Sequence, residues 1–166
     1  MVDGEQFIII ATGNGAASST ASYVARYTGT ALSRTPPRLL AFKIGGKAKY
    51  PSLAKAEPTP VPPAPRFDKA LVKRGEVVFH INSCAACHGA KGAAVGGRVP
   101  NLNRTPPADL AMLKAVVQGG ALKATGMPQY KDMTDDDAKA LFAYIIEEAW
   151  NSHDEEKRGS ASKTAK

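Results

Sequence analysis

Apolar side chains between residues 66 and 152 follow helical patterns, and in the second and third of three predicted helices they recur at intervals of three and four, the spacing of one face of an α-helix. A first helix is predicted from residue 66 towards Cys84, with its apolar positions at Leu71, Val72, Val77, Val78 and Phe79. A second is predicted over residues 108–118, ended by Gly119-Gly120, with Leu110, Leu113, Val116 and Val117 on its apolar face. This half of the chain is therefore predicted to be mainly α.

The third predicted helix has the clearest beginning. Thr134 can cap it, Asp137 occupies the third position of a capping box, and Asp135 and Asp136 suit the positive end of the helix dipole. Its apolar positions are Ala138, Leu141, Phe142, Ile145, Ile146 and Ala149. This broad stripe predicts a buried helix. Charged and small residues follow, so residues 153–166 are predicted to form a disordered tail.

Residues 1–50 show a different pattern. Two strand-like runs, 6–11 and 38–44, are separated by small residues that include Gly13-Asn14-Gly15. Those glycines lack the third glycine of a dinucleotide fingerprint and the Lys-Ser/Thr of a P-loop, so a flexible turn is predicted. Because two strands alone are marginal in water, this piece should pack on the helical domain, on another chain or on further sheet.

Residues 51–65 separate these two parts. Five prolines, at positions 58, 60, 62, 63 and 65, favour an extended polyproline II conformation. The stretch is predicted to be a semi-rigid spacer. The chain thus divides into a β-strand remnant over 1–50, a linker over 51–65, a helical domain over 66–152 and a tail over 153–166.

Composition and charge exclude several functions. The length of 166 residues accommodates one ordinary domain with extensions. The formal charge of +7 is spread as +4 over residues 1–65, +2 over 66–152 and +1 over 153–166, without the basic and aromatic cluster of a nucleic-acid binder. No run approaches the roughly 18 apolar residues of a membrane span, and the apolar run 7–11 lacks the features of a signal peptide.

The two cysteines of the chain carry its chemistry. Cys84 and Cys87 are separated by two residues and followed directly by His88, which is the attachment signature of haem c. Two thiols with two residues between them on one helical turn can form thioethers with the two haem vinyl groups, and the adjacent imidazole can ligate the iron. The motif therefore predicts one covalently attached haem.

Three other interpretations of the cysteine pair are weaker. A structural zinc site needs about four ligands, and the chain has no second pair of cysteines. A thioredoxin-like pair would follow a βαβ pattern, whereas helix and glycine-rich loop surround this one. A structural disulfide would leave His88 without a role.

The iron also needs a sixth ligand or an open position. Met127 is the favoured ligand because it lies in a loop where Gly126 permits a close backbone approach and Pro128 fixes the following turn. Pro100, twelve residues beyond His88, lies in a loop that could return over the proximal edge. It is the candidate to support the histidine ring, since a ligating histidine usually donates its second N–H to a fixed acceptor.

The remaining candidate ligands have other expected roles. Met112 falls among the apolar positions of the second helix, so a core position is predicted for it, and Met133 adjoins the Thr134 cap as a packing residue. His80 is expected on the first helix and His153 in the tail, both away from the iron.

Five motifs in order from Gly75 to Trp150 resemble those of class I c-type cytochromes. They are Gly75 to Phe79, Cys84 to His88, Pro100 to Leu102, Gly126 to Pro128, and Tyr144 in the last helix. The resemblance implies the class I cytochrome c fold, with three to four helices around one haem, and His/Met ligation of the iron. It also implies that Gly75 lets the first and last helices cross closely beside Phe79 and Tyr144.

The flanking residues are similar to the end of quinohaemoprotein alcohol dehydrogenases, in which a β-propeller precedes a C-terminal cytochrome domain. The similarity rests on residues 3–7, on 38–47 and on the proline-rich linker. In that family the propeller holds pyrroloquinoline quinone and calcium. The 166 residues lack the quinone-binding and calcium-binding residues of that propeller and its catalytic aspartate. Neither pyrroloquinoline quinone, nor calcium, nor alcohol oxidation is therefore expected of this chain alone.

Electron transfer through one haem c is therefore the predicted function, without catalysis by the chain itself. The expected partner is a redox protein or the propeller of a quinoprotein dehydrogenase, with no nucleic acid and no transmembrane segment involved. Two alternatives remain: the C-terminal part of such a dehydrogenase, accepting electrons from reduced quinone, and a ligand-binding or peroxidatic haem with an open sixth position. Haem c attachment implies a periplasmic location in bacteria.

Overall fold

The structure is a computed structural model, and it describes residues 4–12, 38–49, 57–94 and 99–164. Two strands, β1 and β2, precede four helices, α1 to α4. Their bounds are β1 Ile8–Thr12, β2 Arg38–Phe42, α1 Lys69–Ile81, α2 Cys84–His88, α3 Leu110–Val117 and α4 Asp135–Thr164, with short 3-10 turns at Ala90–Gly92 and Lys123–Thr125. The predicted mainly α fold is confirmed. Within these residues, none of the helices combines the length and apolar character that crossing a bilayer requires.

The helical domain is organised around the crossing of α1 and α4. A Cβ atom added at Gly75 would lie 2.0 Å from the carbonyl oxygen of Ala140 and 2.7 Å from the Cβ of Tyr144. Only glycine therefore allows the two backbones to approach so closely. Beside the crossing, the rings of Phe79 and Tyr144 pack with their centroids 5.3 Å apart, as the family resemblance implied.

The core lies along this crossing. The apolar stripe predicted for the last helix is buried throughout, and it packs against Val78 and Phe79 of α1 and Leu113 and Val117 of α3. The predicted cap of α4 is present, because Thr134 Oγ1 accepts a hydrogen bond from the Asp137 N–H at 3.1 Å. The core contacts and the cap thus hold the first half of α4 in place.

The α3 helix corrects one prediction. Asp109 caps it by accepting a hydrogen bond from the Met112 N–H at 2.7 Å, but the Met112 side chain is exposed instead of lying in the core. Leu113 and Val117, four residues apart, form the buried stripe, and Met112 falls beside it. Its sulfur instead accepts a hydrogen bond from the Ala108 N–H at 3.4 Å.

Where a disordered tail was predicted over 153–166, α4 instead continues without a break to Thr164, and the last two residues lie outside the described part of the chain. Arg66 donates hydrogen bonds to Glu147, Asn151 and Asp154 in the middle of the helix. The indole N–H of Trp150 donates to the carbonyl of Ala64 at 2.8 Å. The second half of the helix lacks an apolar stripe, and contacts with residues almost ninety positions earlier in the chain stabilise it instead.

The prediction of a spacer over 51–65 also needs correction for its second half. Residues 57–65, here called the proline strap, lie against α4. Thr59 is buried, and both its N–H and its hydroxyl donate hydrogen bonds to the Glu156 carboxylate. Arg104 donates to the Thr59 hydroxyl at 3.0 Å and to the carbonyls of Glu57 and Pro58. The strap is therefore part of the helical domain.

The strands β1 and β2 form an antiparallel hairpin in which Ile8 pairs with Phe42 and Ala11 with Leu39. Lys43 and Glu5 form an exposed ion pair at 2.7 Å. The apolar side chains of the hairpin remain largely exposed. The predicted turn at residues 13–15 and the first half of the predicted spacer, 51–56, lie outside the described residues.

Candidate functional site

One apolar cavity of about 340 Å³ brings together the residues singled out by sequence. Cys84, Cys87, His88, Pro100 and Met127 all line it. They come from three separate parts of the chain: the short helix α2, the loop after it, and the loop between α3 and α4. The fold therefore assembles two thiols, an imidazole and a thioether around one space.

The cysteines are positioned by a sharp turn between α1 and α2. Helix α1 ends at Ile81, and Ser83 adopts a left-handed conformation with φ of 56° before α2 begins at Cys84. The two cysteines are free thiols, with Cys84 half-buried and Cys87 exposed. Burial raises the pKa of the Cys84 thiol to about 11, so this thiol is uncharged at neutral pH in the absence of haem.

His88 ends α2 and is buried. Its Nδ1 lies 3.1 Å from the carbonyl oxygen of Pro100 and donates a hydrogen bond to it, which leaves Nε2 with its lone pair. Burial lowers the pKa of His88, and the Pro100 carbonyl opposes this effect. The imidazole is thus held neutral, in the form that a metal requires.

The loop that carries Pro100 is fixed at two points. The N–H of Leu102 donates to the carbonyl of Gly92 at 2.8 Å, and Asn103 Nδ2 donates to the hydroxyl of Ser152 on α4 at 2.9 Å. Because both contacts lie within three residues of Pro100, they hold its carbonyl in place against His88.

The loop that carries Met127 runs from α3 to α4. Gly126 has a φ of 100°, a conformation that other residues rarely adopt, and it turns the chain so that Met127 lines the cavity. The Met127 N–H donates to the carbonyl of Leu122 at 3.3 Å. Gln129 Nε2 and Gln118 Nε2 tie the following residues to the end of α3 and to Met133.

The other candidate ligands lie elsewhere. Met133 is buried in the hydrophobic core, and Met112 is exposed on α3. His80 is exposed on α1. His153 is buried, not in a loose tail as expected, and its ring meets Trp150 edge-on with the centroids 5.4 Å apart. None of these four lines the cavity.

The arrangement fits haem c and differs from a structural zinc site. The cavity surface is mostly carbon, and its donors are those that haem c uses. Within the described part of the chain, no three His, Cys, Asp or Glu side chains converge as a metal-ion site would require. Tyr130, which was not predicted from the sequence, lines the same cavity, and its hydroxyl donates to the carbonyl of Asn82 at 3.1 Å.

The chain is similar to several known proteins. Residues 70–145 match the family described as cytochrome c oxidase, cbb3-type, subunit III. Over 98% of its length the chain is 38% identical to a lupanine 17-hydroxylase [cytochrome c] of a Pseudomonas species, and over 93% it is 32% identical to quinohemoprotein alcohol dehydrogenase ADH-IIG of Pseudomonas putida.

A solved structure of quinohemoprotein alcohol dehydrogenase ADHIIG from Pseudomonas putida HK5 resembles the chain with a TM-score of 0.64 and 30% identity over 93% of the chain. The matched region is 23% of the hydroxylase and 22% of the chain in that structure. The chain thus spans about a fifth of the length of these relatives and corresponds to their C-terminal cytochrome part.

Proposed function

We propose which residues of this chain hold its haem. The chain contains a c-type cytochrome domain that corresponds to the C-terminal part of quinohaemoprotein alcohol dehydrogenases, and such domains transfer electrons through haem c. Cys84 and Cys87 form the two thioether bonds. His88 and Met127 would ligate the iron, and Pro100 would support the histidine.

Each residue has a distinct task in this proposal. Haem c supplies an iron that carries one electron at a time. The Cys84 and Cys87 thiols anchor the porphyrin, and the Pro100 carbonyl fixes the ring orientation of His88 through the hydrogen bond to Nδ1. The Met127 thioether favours ferrous iron and raises the reduction potential relative to a second nitrogen ligand. A raised potential suits a carrier that accepts electrons from a reduced quinone.

The observation that carries the proposal is the single cavity. Met127 lies 39 residues after His88 in the sequence. It nevertheless lines the same apolar space as the Cys84-to-His88 segment. The two alternative methionines are excluded from that space by their positions in the core and on the surface. The geometry therefore favours Met127 over Met112 and Met133.

The experiment uses the full chain produced in a host that attaches haem c. Haem should remain bound after denaturation and extraction with acidified organic solvent. The ferric protein should show the sulfur-to-iron charge-transfer band. Replacement Met127→His should keep low-spin iron and lower the midpoint potential, and Met127→Ala should allow carbon monoxide to bind the ferrous protein.

Met133→Ala is the matched control, because it removes a methionine of the core and should change neither the band nor carbon monoxide binding. Loss of the band in Met133→Ala with its retention in Met127→Ala would overturn the ligand assignment. Carbon monoxide binding by the unaltered protein would instead indicate an open sixth position.

A second candidate function is that of one part of a quinohaemoprotein dehydrogenase. The relatives carry this region within a longer chain, and their pyrroloquinoline quinone and calcium belong to the part that this chain does not match. In this proposal the haem accepts electrons from reduced quinone on a propeller, and the protein is periplasmic. On its own the chain would transfer electrons without catalysing a reaction. An in-frame propeller upstream of the coding sequence would support this candidate.

A further inference from the structure

The loop that carries Met127 is held mainly from one side. Its hydrogen bonds with other elements involve the end of α3 and the beginning of α4, through Gln118, Gln129 and the backbone of Tyr130. The Cys84-to-His88 segment lies on the other side of the cavity. Among the described residues, one side-chain hydrogen bond joins the two sides, from the Tyr130 hydroxyl to the Asn82 carbonyl at 3.1 Å.

Tyr130 is well placed for this contact. It lies three residues after Met127, and its N–H donates to the carbonyl of Val117 at 2.7 Å. This short hydrogen bond fixes the backbone from which the phenol ring extends. The ring is half-buried, packs against the hydrophobic core and lines the cavity beside Cys84.

The acceptor residue is also fixed. Asn82 caps the C-terminal end of α1, and both its N–H and its side-chain amide donate to the carbonyl of Val78, at 3.2 Å and 2.9 Å. Its own carbonyl precedes the left-handed turn at Ser83 that starts the Cys84 helix. A hydrogen bond to this carbonyl therefore connects the Met127 loop to the start of the segment that would carry the haem.

From this geometry we infer that Tyr130 is a positioning residue that keeps the Met127 loop closed over the cavity. The inference rests on the proposed ligation by Met127. Opening the loop to release the thioether requires movement relative to α2, and the Tyr130 hydrogen bond opposes that movement. Tyr130 would thus favour ligation of the iron by Met127, which suits electron transfer, over a site open to small ligands.

The proposed role of Tyr130 depends on its hydroxyl group and not on its ring. The ring by itself fills space at the edge of the core, a role that phenylalanine would perform equally well. Tyr130→Phe keeps the ring and removes the donor to Asn82. Any effect on iron coordination then comes from the hydrogen bond and not from a cavity in the core.

The test measures imidazole binding to the ferric full-length protein at neutral pH, where imidazole competes with the Met127 thioether. Tyr130→Phe should increase the apparent affinity for imidazole about fivefold, the factor expected from one intramolecular hydrogen bond. The sulfur-to-iron charge-transfer band should persist in the absence of imidazole, because the ligand itself is unchanged.

Trp150→Phe is the control for a general loss of stability. It removes a comparable hydrogen bond, from the indole N–H to the carbonyl of Ala64, on a side chain that does not line the cavity. Its imidazole affinity should equal that of the unaltered protein, even where urea unfolding shows a similar loss of stability in both variants.

The possible results separate the two proposals. An unaltered protein with the charge-transfer band, together with a Tyr130→Phe variant of unchanged imidazole affinity, overturns the role of Tyr130 alone. An equal increase in Trp150→Phe also overturns it, because general destabilisation would then suffice. An unaltered protein without the band overturns Met127 ligation and, with it, the role of Tyr130.

Discussion

The hairpin and the helical domain use apolar residues in opposite ways. Ile9 and Leu39 of the hairpin are 63% and 73% exposed, whereas Phe79 of α1 is 1% exposed. Both regions are rich in apolar side chains, but only the helical domain buries them against its own elements. The comparison shows that this domain, with the proline strap, contains its own core, while the hairpin contributes little burial of its own.

This difference predicts where substitutions should matter. The free energy of unfolding should depend most on the α1–α4 crossing, less on the strap, and least on the hairpin. Each of the following three substitutions tests one of these positions, and each has a control matched in chemistry.

At the crossing, Gly75→Ala should have the largest effect. The added Cβ would lie 2.0 Å from the Ala140 carbonyl oxygen, so the helices must move apart. We expect a loss of about 3 kcal/mol in the free energy of unfolding, the upper part of the range for overpacked cores, measured by urea denaturation of the haem protein.

Gly159→Ala is the control for this change. Gly159 lies in α4 with no atom within 4 Å of an added Cβ, so alanine should raise the free energy of unfolding by about 0.5–1 kcal/mol through its helix propensity. Equal effects at the two glycines would contradict the close crossing.

In the strap, Thr59→Val should have an intermediate effect. Valine keeps the branched shape but removes the hydroxyl that donates to Glu156 and accepts from Arg104 at 3.0 Å. A loss of about 1–2 kcal/mol is expected for a part-buried hydroxyl with two partners, measured by the same denaturation.

Thr105→Val provides the comparison, since the exposed Thr105 hydroxyl donates only to the nearby carbonyl of Asn101. Its effect should stay within about 0.5 kcal/mol. If both threonines behaved alike, the strap would be a spacer after all, and the boundary between the two regions would move to Arg66.

In the hairpin, Ile9→Thr should have the smallest effect. The side chain is exposed, and threonine retains the strand preference of a branched residue. The unfolding of the helices, followed by circular dichroism at 222 nm, should change by less than about 0.5 kcal/mol. Val78→Thr is the buried counterpart and should cost more. A large loss from Ile9→Thr would mean that the hairpin packs on the helical domain.

The sequence predicted those parts of the fold that depend on local pattern. The spacing of apolar residues located α1, α3 and the first half of α4, and Thr134 marked where α4 begins. The second half of α4 was missed because its contacts involve Arg66, Ala64 and Thr59, which lie 88, 86 and 97 positions before their partners on the helix. Such long-range contacts cannot be predicted from the local composition.

The residues of the site also differ in whether the local sequence could predict them. Cys84, Cys87 and His88 form one contiguous motif, and the loop around Met127 has its own glycine and proline, so all could be recognised locally. Tyr130 could not, because its partner is the backbone carbonyl of Asn82, and any residue provides a carbonyl. Met112 was misplaced because an apolar residue within a helix does not reveal on which side of the buried stripe it falls.

The contacts of the proline strap also determine how a pulling force would travel through the molecule. Tension applied through residues preceding Glu57 would first load the hydrogen bonds of Arg104 with the Glu57 and Pro58 carbonyls, and then that of Thr59 with Glu156. Glu156 lies on α4, whereas Arg104 lies in the loop that carries Pro100. A force on the strap would therefore be shared between α4 and this loop, and through the loop it would reach the carbonyl that orients His88.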